Sequence, residues 1–251
     1  MPAFDIWSVL PLAMFSSLTI GMSKGGLPIV AMLAVPVLAF VMDPLAAAAL
    51  LLPVYLVSDV YGVWLYRREY SAPNLKLLIP AGCLGVFIGY LAAPHVQESG
   101  MNLAIGLTGV FFCLRAWFFT SKDAPPMPVR AAPALFWGTL SGITSFISHA
   151  GAPPYQIYIL PRKLPKLVFA GTSTILFAII NMGKLPAYLS LDIFPKMDIA
   201  GLLILGATAL FGAWAGAKLT RIIPERPFFI AVYTALFILS LSLIAKGGGL
   251  L

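Results

Sequence analysis

The sequence predicts an all-α integral membrane protein made of two inverted repeats, each a broken re-entrant helix hairpin followed by three transmembrane helices. Three observations predict it. The chain is far more apolar than charged. Six runs are long enough to cross a bilayer. Two further runs are interrupted, at matching places, by small and helix-breaking residues.

Of the 251 residues, 60% are hydrophobic and only 10% charged, with a mean hydropathy of +0.95. A soluble domain carries about a quarter charged residues. The shortfall fits a surface that faces lipid, where charge is costly. The net charge is +7, but the cations lie between apolar runs and form no basic face. That pattern suits cationic loops of a membrane protein and argues against a nucleic-acid partner. Met1–Ile6 holds Asp5 and no Lys or Arg, unlike the cationic start of a signal peptide, so the first apolar run is expected to be kept. Cys83 and Cys113 stand singly within apolar runs and read as packing residues.

The elements follow in order. A helix needs about 20 apolar residues to span the hydrocarbon core. In residues 1–125, Ile6–Met42 is an interrupted segment, followed by whole runs at Leu45–Tyr66, Leu75–Ala93 and Met101–Thr120. In residues 126–251, Pro133–Leu160 is interrupted, followed by Val168–Leu191, Ile199–Leu219 and Phe228–Ala245. The interruptions are Ser23-Lys24-Gly25-Gly26-Leu27-Pro28 and Ser148-His149-Ala150-Gly151-Ala152-Pro153-Pro154. Gly accepts unusual backbone angles and Pro ends a helix, so each segment reads as two short helices with an irregular joint.

An offset of 125 places Thr19, Ser23, Gly26 and Pro28 on Thr144, Ser148, Gly151 and Pro153, and an offset of 127 places Gly85 and Gly89 on Gly212 and Gly216. This is the signature of a duplicated unit. Charge selects the topology, because cationic loops prefer the cytoplasm. If both broken segments cross, Lys and Arg divide between the two sides. If both dip in and return, Arg67, Arg68, Lys76, Lys122, Arg130, Arg162, Lys163, Lys166, Arg221 and Arg226 share one side, and Lys196 and Lys246 the other. The second arrangement is expected. It gives six crossings, both termini outside the cytoplasm, and three crossings per half, so the halves run in opposite directions as in many secondary transporters. The small-residue faces of Gly82, Gly85, Gly89, Gly212 and Gly216 are expected to pack helices within one chain or between two, a homodimer being one such assembly.

The hairpin tips would meet near the midplane, where irregular backbone survives only if buried or lining a cavity. Helices restarting near Gly26 and Gly151 would aim N–H groups and partial positive charge there. Ser23 and Ser148 add hydroxyls, Lys24 a cation and His149 a titratable ring; Gly25 and Ala150 complete the tips. Two more charges lie deep in apolar runs. Asp59 precedes Arg67 by eight residues, and Lys184 precedes Asp192 by eight, about 12 Å from opposite helix ends. The 125 offset also superimposes these two. Charges at that depth face the interior, as a structural ion pair or as substrate- or proton-coupling groups. Thr172, Ser173 and Asn181 lie on the same run as Lys184, and Tyr55, Tyr155 and Tyr158 either line a cavity or pack. Together these residues suit a small, oxygen-rich anion, with proton coupling through Asp59 or His149. No P-loop, G-x-S-x-G or H-E-x-x-H occurs, and two histidines, His95 and His149, make no metal site. No catalytic role and no cofactor is expected; a membrane-embedded enzyme and an anion channel are the competing readings.

Gly21-Met22-Ser23-Lys24-Gly25-Gly26 leading to Pro36-Val37-Leu38, Ser148-His149-Ala150-Gly151-Ala152-Pro153, and Gly171-Thr172-Ser173-Thr174 followed by Asn181 and Lys184-Leu185-Pro186-Ala187-Tyr188 resemble the TauE/SafE sulfite exporter family, also called TSUP. The resemblance covers nearly the whole chain. It implies a carrier in the cytoplasmic membrane that moves a small sulfur-containing anion, sulfite or an organosulfonate such as sulfoacetate, usually outward. The chemistry of the tips and of the deep polar positions makes Ser23, Lys24, Gly25, Gly26, Ser148, His149, Ala150, Gly151, Thr172, Asn181 and Lys184 the expected binding residues. Some relatives handle thiosulfate through cysteines; here neither Cys83 nor Cys113 lies near a tip.

Overall fold

The computed structural model describes residues 6–24, 28–118, 125–195, 198–222 and 225–250. Ten α-helices are found among them: α1 (Ile6–Lys24), α2 (Ala34–Leu38), α3 (Pro44–Tyr66), α4 (Ala72–Ala92), α5 (Glu98–Phe118), α6 (Ala131–Ser148), α7 (Ala152–Ile159), α8 (Lys166–Ser190), α9 (Ile199–Ile222) and α10 (Glu225–Gly247). A 3-10 segment, Pro28–Leu33, leads into α2. The helices α3, α4, α5, α8, α9 and α10 are long and apolar enough to cross a membrane. Asp43 starts α3 by accepting from the N–H groups of Leu45 and Ala46, both at 2.9 Å, with Pro44 in the first turn, where its missing N–H costs nothing. Helix α4 begins three residues earlier than its apolar run predicts, because Pro73 likewise sits in a first turn.

Polarity is arranged from the inside out. Val60, Leu203 and Ile199 are exposed, whereas Asp59, Asn74, Asn102, Asn181 and Lys184 are buried. A protein that shows lipid-compatible side chains outward and keeps ionisable groups within is built for a bilayer. The chain is a multi-pass membrane protein.

Within each interrupted segment the two limbs touch. Ser16 on α1 donates to the carbonyl of Ala34 on α2 at 2.7 Å, and Ser141 on α6 donates to the carbonyl of Gly151 at 2.7 Å. The Met127 N–H donates to the Pro161 carbonyl at 2.9 Å, so the strand of chain entering α6 meets the one leaving α7. The limbs are unequal, unlike the two short helices expected. Helices α1 and α6 have 19 and 18 residues, α2 and α7 only 5 and 8. Proline sets the difference: Pro28 and Pro36 fall within the first return limb, and Pro161 follows α7 directly.

Helix packing pairs the halves of the chain crosswise. Helix α1 lies along α9 and α6 along α4, while α3 lies along α8 and α5 along α10. The first two pairs run parallel through glycine seams. A Cβ on Gly85 would lie 2.1 Å from the Thr139 carbonyl oxygen, and one on Gly212 would lie 2.4 Å from that of Leu18. Only hydrogen fits at such a distance, so glycine sets the separation of the helix axes. Gly89 meets Phe146 and Gly216 meets Met22. The repeated glycines therefore pack helices within one chain. The other two pairs run antiparallel: Gly62 meets Thr174 while Gly171 meets Tyr66 and Glu69, and Gly109 meets Leu236 while Gly106 meets Ile244.

Candidate functional site

The charged side chains buried in apolar runs converge on one polar centre between α1, α3, the α6–α7 joint and α8. Lys24, the last residue of α1, places Nζ 2.6 Å from Asp59 Oδ1 on α3. Asn181 on α8 donates from Nδ2 to Asp59 Oδ2, also at 2.6 Å. Three residues on, Lys184 points the same way from α8. Its Nζ donates to the carbonyl and the hydroxyl of Ser145, at 3.0 and 3.1 Å, and lies 2.6 Å from His149 Nδ1. His149 Nε2 lies 2.9 Å from the Ala48 carbonyl on α3, and its ring stacks on Tyr55 at 4.3 Å.

Local sequence explains these positions. His149 closes α6 in the left-handed conformation, with φ 54°, which throws its ring off the helix axis toward α3. Gly151 follows because α7 turns back hard against α6: a Cβ there would meet Phe177, the Ser141 carbonyl and Ser145, all under 3.0 Å. On α8, Asn181 and Lys184 are three residues apart and so share one face. The two pairs share one spacing. Lys24 and Asp59 are 35 residues apart, and so are His149 and Lys184. Each joint residue contacts the intramembrane residue of its own half.

Hydrogen bonding sets the charges. A carbonyl cannot donate, so His149 Nε2 must carry a proton for Ala48. Nδ1 is then the acceptor that faces the Lys184 amine, which also bonds the carbonyl and hydroxyl of Ser145. Lys24 and Asp59 cancel. The centre thus gathers two lysine amines and a histidine around one carboxylate, that of Asp59, with Lys184 fully buried and Lys24 one-fifth exposed. Lys24 is the more exposed of the two lysines.

Other residues that the sequence singles out lie apart from this centre. Thr172 is twelve residues before Lys184 on α8, about 18 Å away along the axis; its hydroxyl donates to Val168 and accepts from the Ser71 N–H at 2.9 Å, tying α8 to the start of α4. Ser23 and Ser148 donate back into their own helices, to Ile20 and Thr144. Ala150 is buried in the joint. Gly25 and Gly26 lie outside the described residues. The start of α7 offers less than the sequence reading expects, because Pro153 and Pro154 remove two of its first N–H groups and the next, on Tyr155, bonds the Gly151 carbonyl. Tyr155 pairs with Ser173 and Tyr158 with Asn74. Ser145 was missed by sequence reasoning. Its one signal is its place four residues before His149, on the same face of α6. Among the described residues, no group of three or more His, Cys, Asp or Glu is placed to hold a metal ion.

The model of the family described as sulfite exporter TauE/SafE matches residues 13–243. No curated protein and no solved structure matches the chain. A match over nearly the whole length, on a multi-pass helical fold whose interior carries this cationic centre, identifies the chain as a member of the TauE/SafE sulfite exporter family.

Proposed function

We propose that the protein is a secondary transporter that moves a small sulfur-containing anion, sulfite or an organosulfonate such as sulfoacetate, outward across the cytoplasmic membrane. The observation that carries this reading is the make-up of the buried centre, which is richer in basic groups than in acidic ones. Two lysine amines and a histidine face a single carboxylate, and a bound anion would supply the counter-charge that lets both lysines be ammonium groups. Lys24 and Lys184 bind it, Asn181 and Ser145 orient it or its cation, and His149 and Asp59 exchange protons as the site changes state.

The packing supports an inverted-repeat plan with two re-entrant hairpins. Equivalent helices α3 and α8 run antiparallel, as do α5 and α10. The chain enters and leaves the α6–α7 hairpin at one place. Lys246, at the end of α10, bonds both Glu98 at the start of α5, at 3.0 Å, and the carbonyl of Ala39 after α2, at 2.9 Å, so these three ends lie together. On this plan both termini lie outside the cytoplasm and alternating access works around the centre.

The test is binding of sulfite, sulfoacetate, isethionate, taurine, thiosulfate and acetate to purified protein, by thermal shift and then calorimetry. One sulfur anion is expected to stabilise the protein selectively. Lys24→Ala should weaken its binding about 10–100-fold, the value of a charge-assisted hydrogen bond of about 1.5–3 kcal/mol. An Ala variant that folds and binds as tightly as the parent would remove Lys24 from the site.

A further inference from the structure

Asp59 sits where an oxyanion would sit. Each of its oxygens takes one donor at 2.6 Å, Oδ1 from the Lys24 ammonium and Oδ2 from the Asn181 amide. An ammonium and an amide N–H converging from two helices on two oxygens of one group are the donors that a sulfite or sulfonate would use. The carboxylate is buried on α3, with Lys184 and Tyr55 also within reach of its charge.

We propose that Asp59 is a tethered substitute for the transported anion. It fills the seat in the empty protein, and the anion binds by displacing it from Lys24. This rests on the anion-carrier reading above and deepens it. The geometry favours displacement at Lys24 for two reasons. Lys24 is one-fifth exposed whereas Lys184 is buried. Lys184 also has three acceptors of its own, while the acceptors at the Lys24 ammonium include the Asp59 oxygen that an anion would replace. The substitute has a purpose in a carrier. With Asp59 in place, the empty protein never holds two facing ammonium groups without a counter-charge in a low-dielectric interior.

The two roles for Asp59 predict opposite signs. If it competes with the anion, removing its charge tightens binding. If it only positions Lys24, removing its charge loosens that side chain and weakens binding. Asp59→Asn keeps the shape of the side chain and is expected to bind the anion selected by the wild type at least about tenfold more tightly by calorimetry. Asp59→Ala empties the seat, so millimolar formate, a free carboxylate of the right size, should raise its melting temperature and compete with the sulfur anion, with neither effect in the wild type. Affinity in a folded Asp59→Asn protein that is unchanged or weaker would overturn the proposal and leave the anion-carrier reading intact. Should Asp59→Asn not fold, absence of any formate effect on Asp59→Ala would overturn it instead. Failure of the wild type to bind any of the six anions would overturn both readings together.

Discussion

Adding one methyl group to Gly142 should disturb the polar centre without touching a polar atom. Its Cβ would lie 2.1 Å from the Gly82 carbonyl oxygen and 2.9 Å from the Gly85 Cα. Comfortable non-bonded contact begins near 3.5 Å, so α6 must move from α4 by roughly 1 Å or more. Close-packed interiors resist such a change, and overpacking costs about 1–3 kcal/mol. Ser145 lies one turn further along α6 and holds Lys184 through contacts at 3.0 and 3.1 Å. Hydrogen bonds stretched by about 1 Å are broken by any geometric standard. Gly142→Ala should therefore lower stability by about 1–3 kcal/mol and weaken anion binding at least about tenfold. Gly183→Ala is the control. Gly183 is beside Lys184 but exposed, with nothing within 4 Å of its Cβ position, and alanine is the better helix former, so stability and affinity should hold or rise slightly. Detergent-phase thermal unfolding and calorimetry on both variants decide it. Full stability and affinity in Gly142→Ala would refute the account of the seam. Lost stability with unchanged affinity would refute the coupling between seam and site.

Two further outcomes follow from the backbone. His149→Asn and His149→Val both give up the ring contacts with Ala48, Tyr55 and Lys184 and should both be less stable than the parent, but Asn accepts the left-handed conformation, so His149→Val should be less stable than His149→Asn by about a further 1–2 kcal/mol; equal stabilities of the two variants in denaturant titration would show that the joint relaxes to another conformation. Asp43→Ala removes two accepted N–H bonds at the start of α3 and should cost about 1 kcal/mol, read as a lower melting temperature with flux into proteoliposomes retained; an unchanged melting temperature would mean that solvent caps the helix equally well.

Much of the architecture was legible because a bilayer imposes long apolar runs, and six of them became the six long helices. The doubled interruption was legible because Gly and Pro act locally. Unequal hairpin limbs were not, since the extent to which α1 and α6 continue depends on the partner helices α9 and α4, and crosswise pairing is a tertiary fact. At the site, Lys24, Asp59, Asn181 and Lys184 were legible for one reason: charge and amide groups in apolar runs have nowhere to go but inward. Thr172 shares that helix with Lys184 yet serves the start of α4, because a threonine hydroxyl can satisfy itself on its own backbone. Ser145 hid for the same reason. Serine on a helix face carries no signal until the ammonium that it receives is placed.

The crosswise glycine seams also decide how the chain can be divided. The first hairpin is seated on α9 and the second on α4, so neither half contains the groove that fits its own hairpin. A chain cut between Phe118 and Ala131 should give two fragments that fail separately, each with a bare glycine-lined channel, and that recover function when expressed together. The two halves of the chain are obligate complements, and the gene for either one alone would encode a protein without a fold.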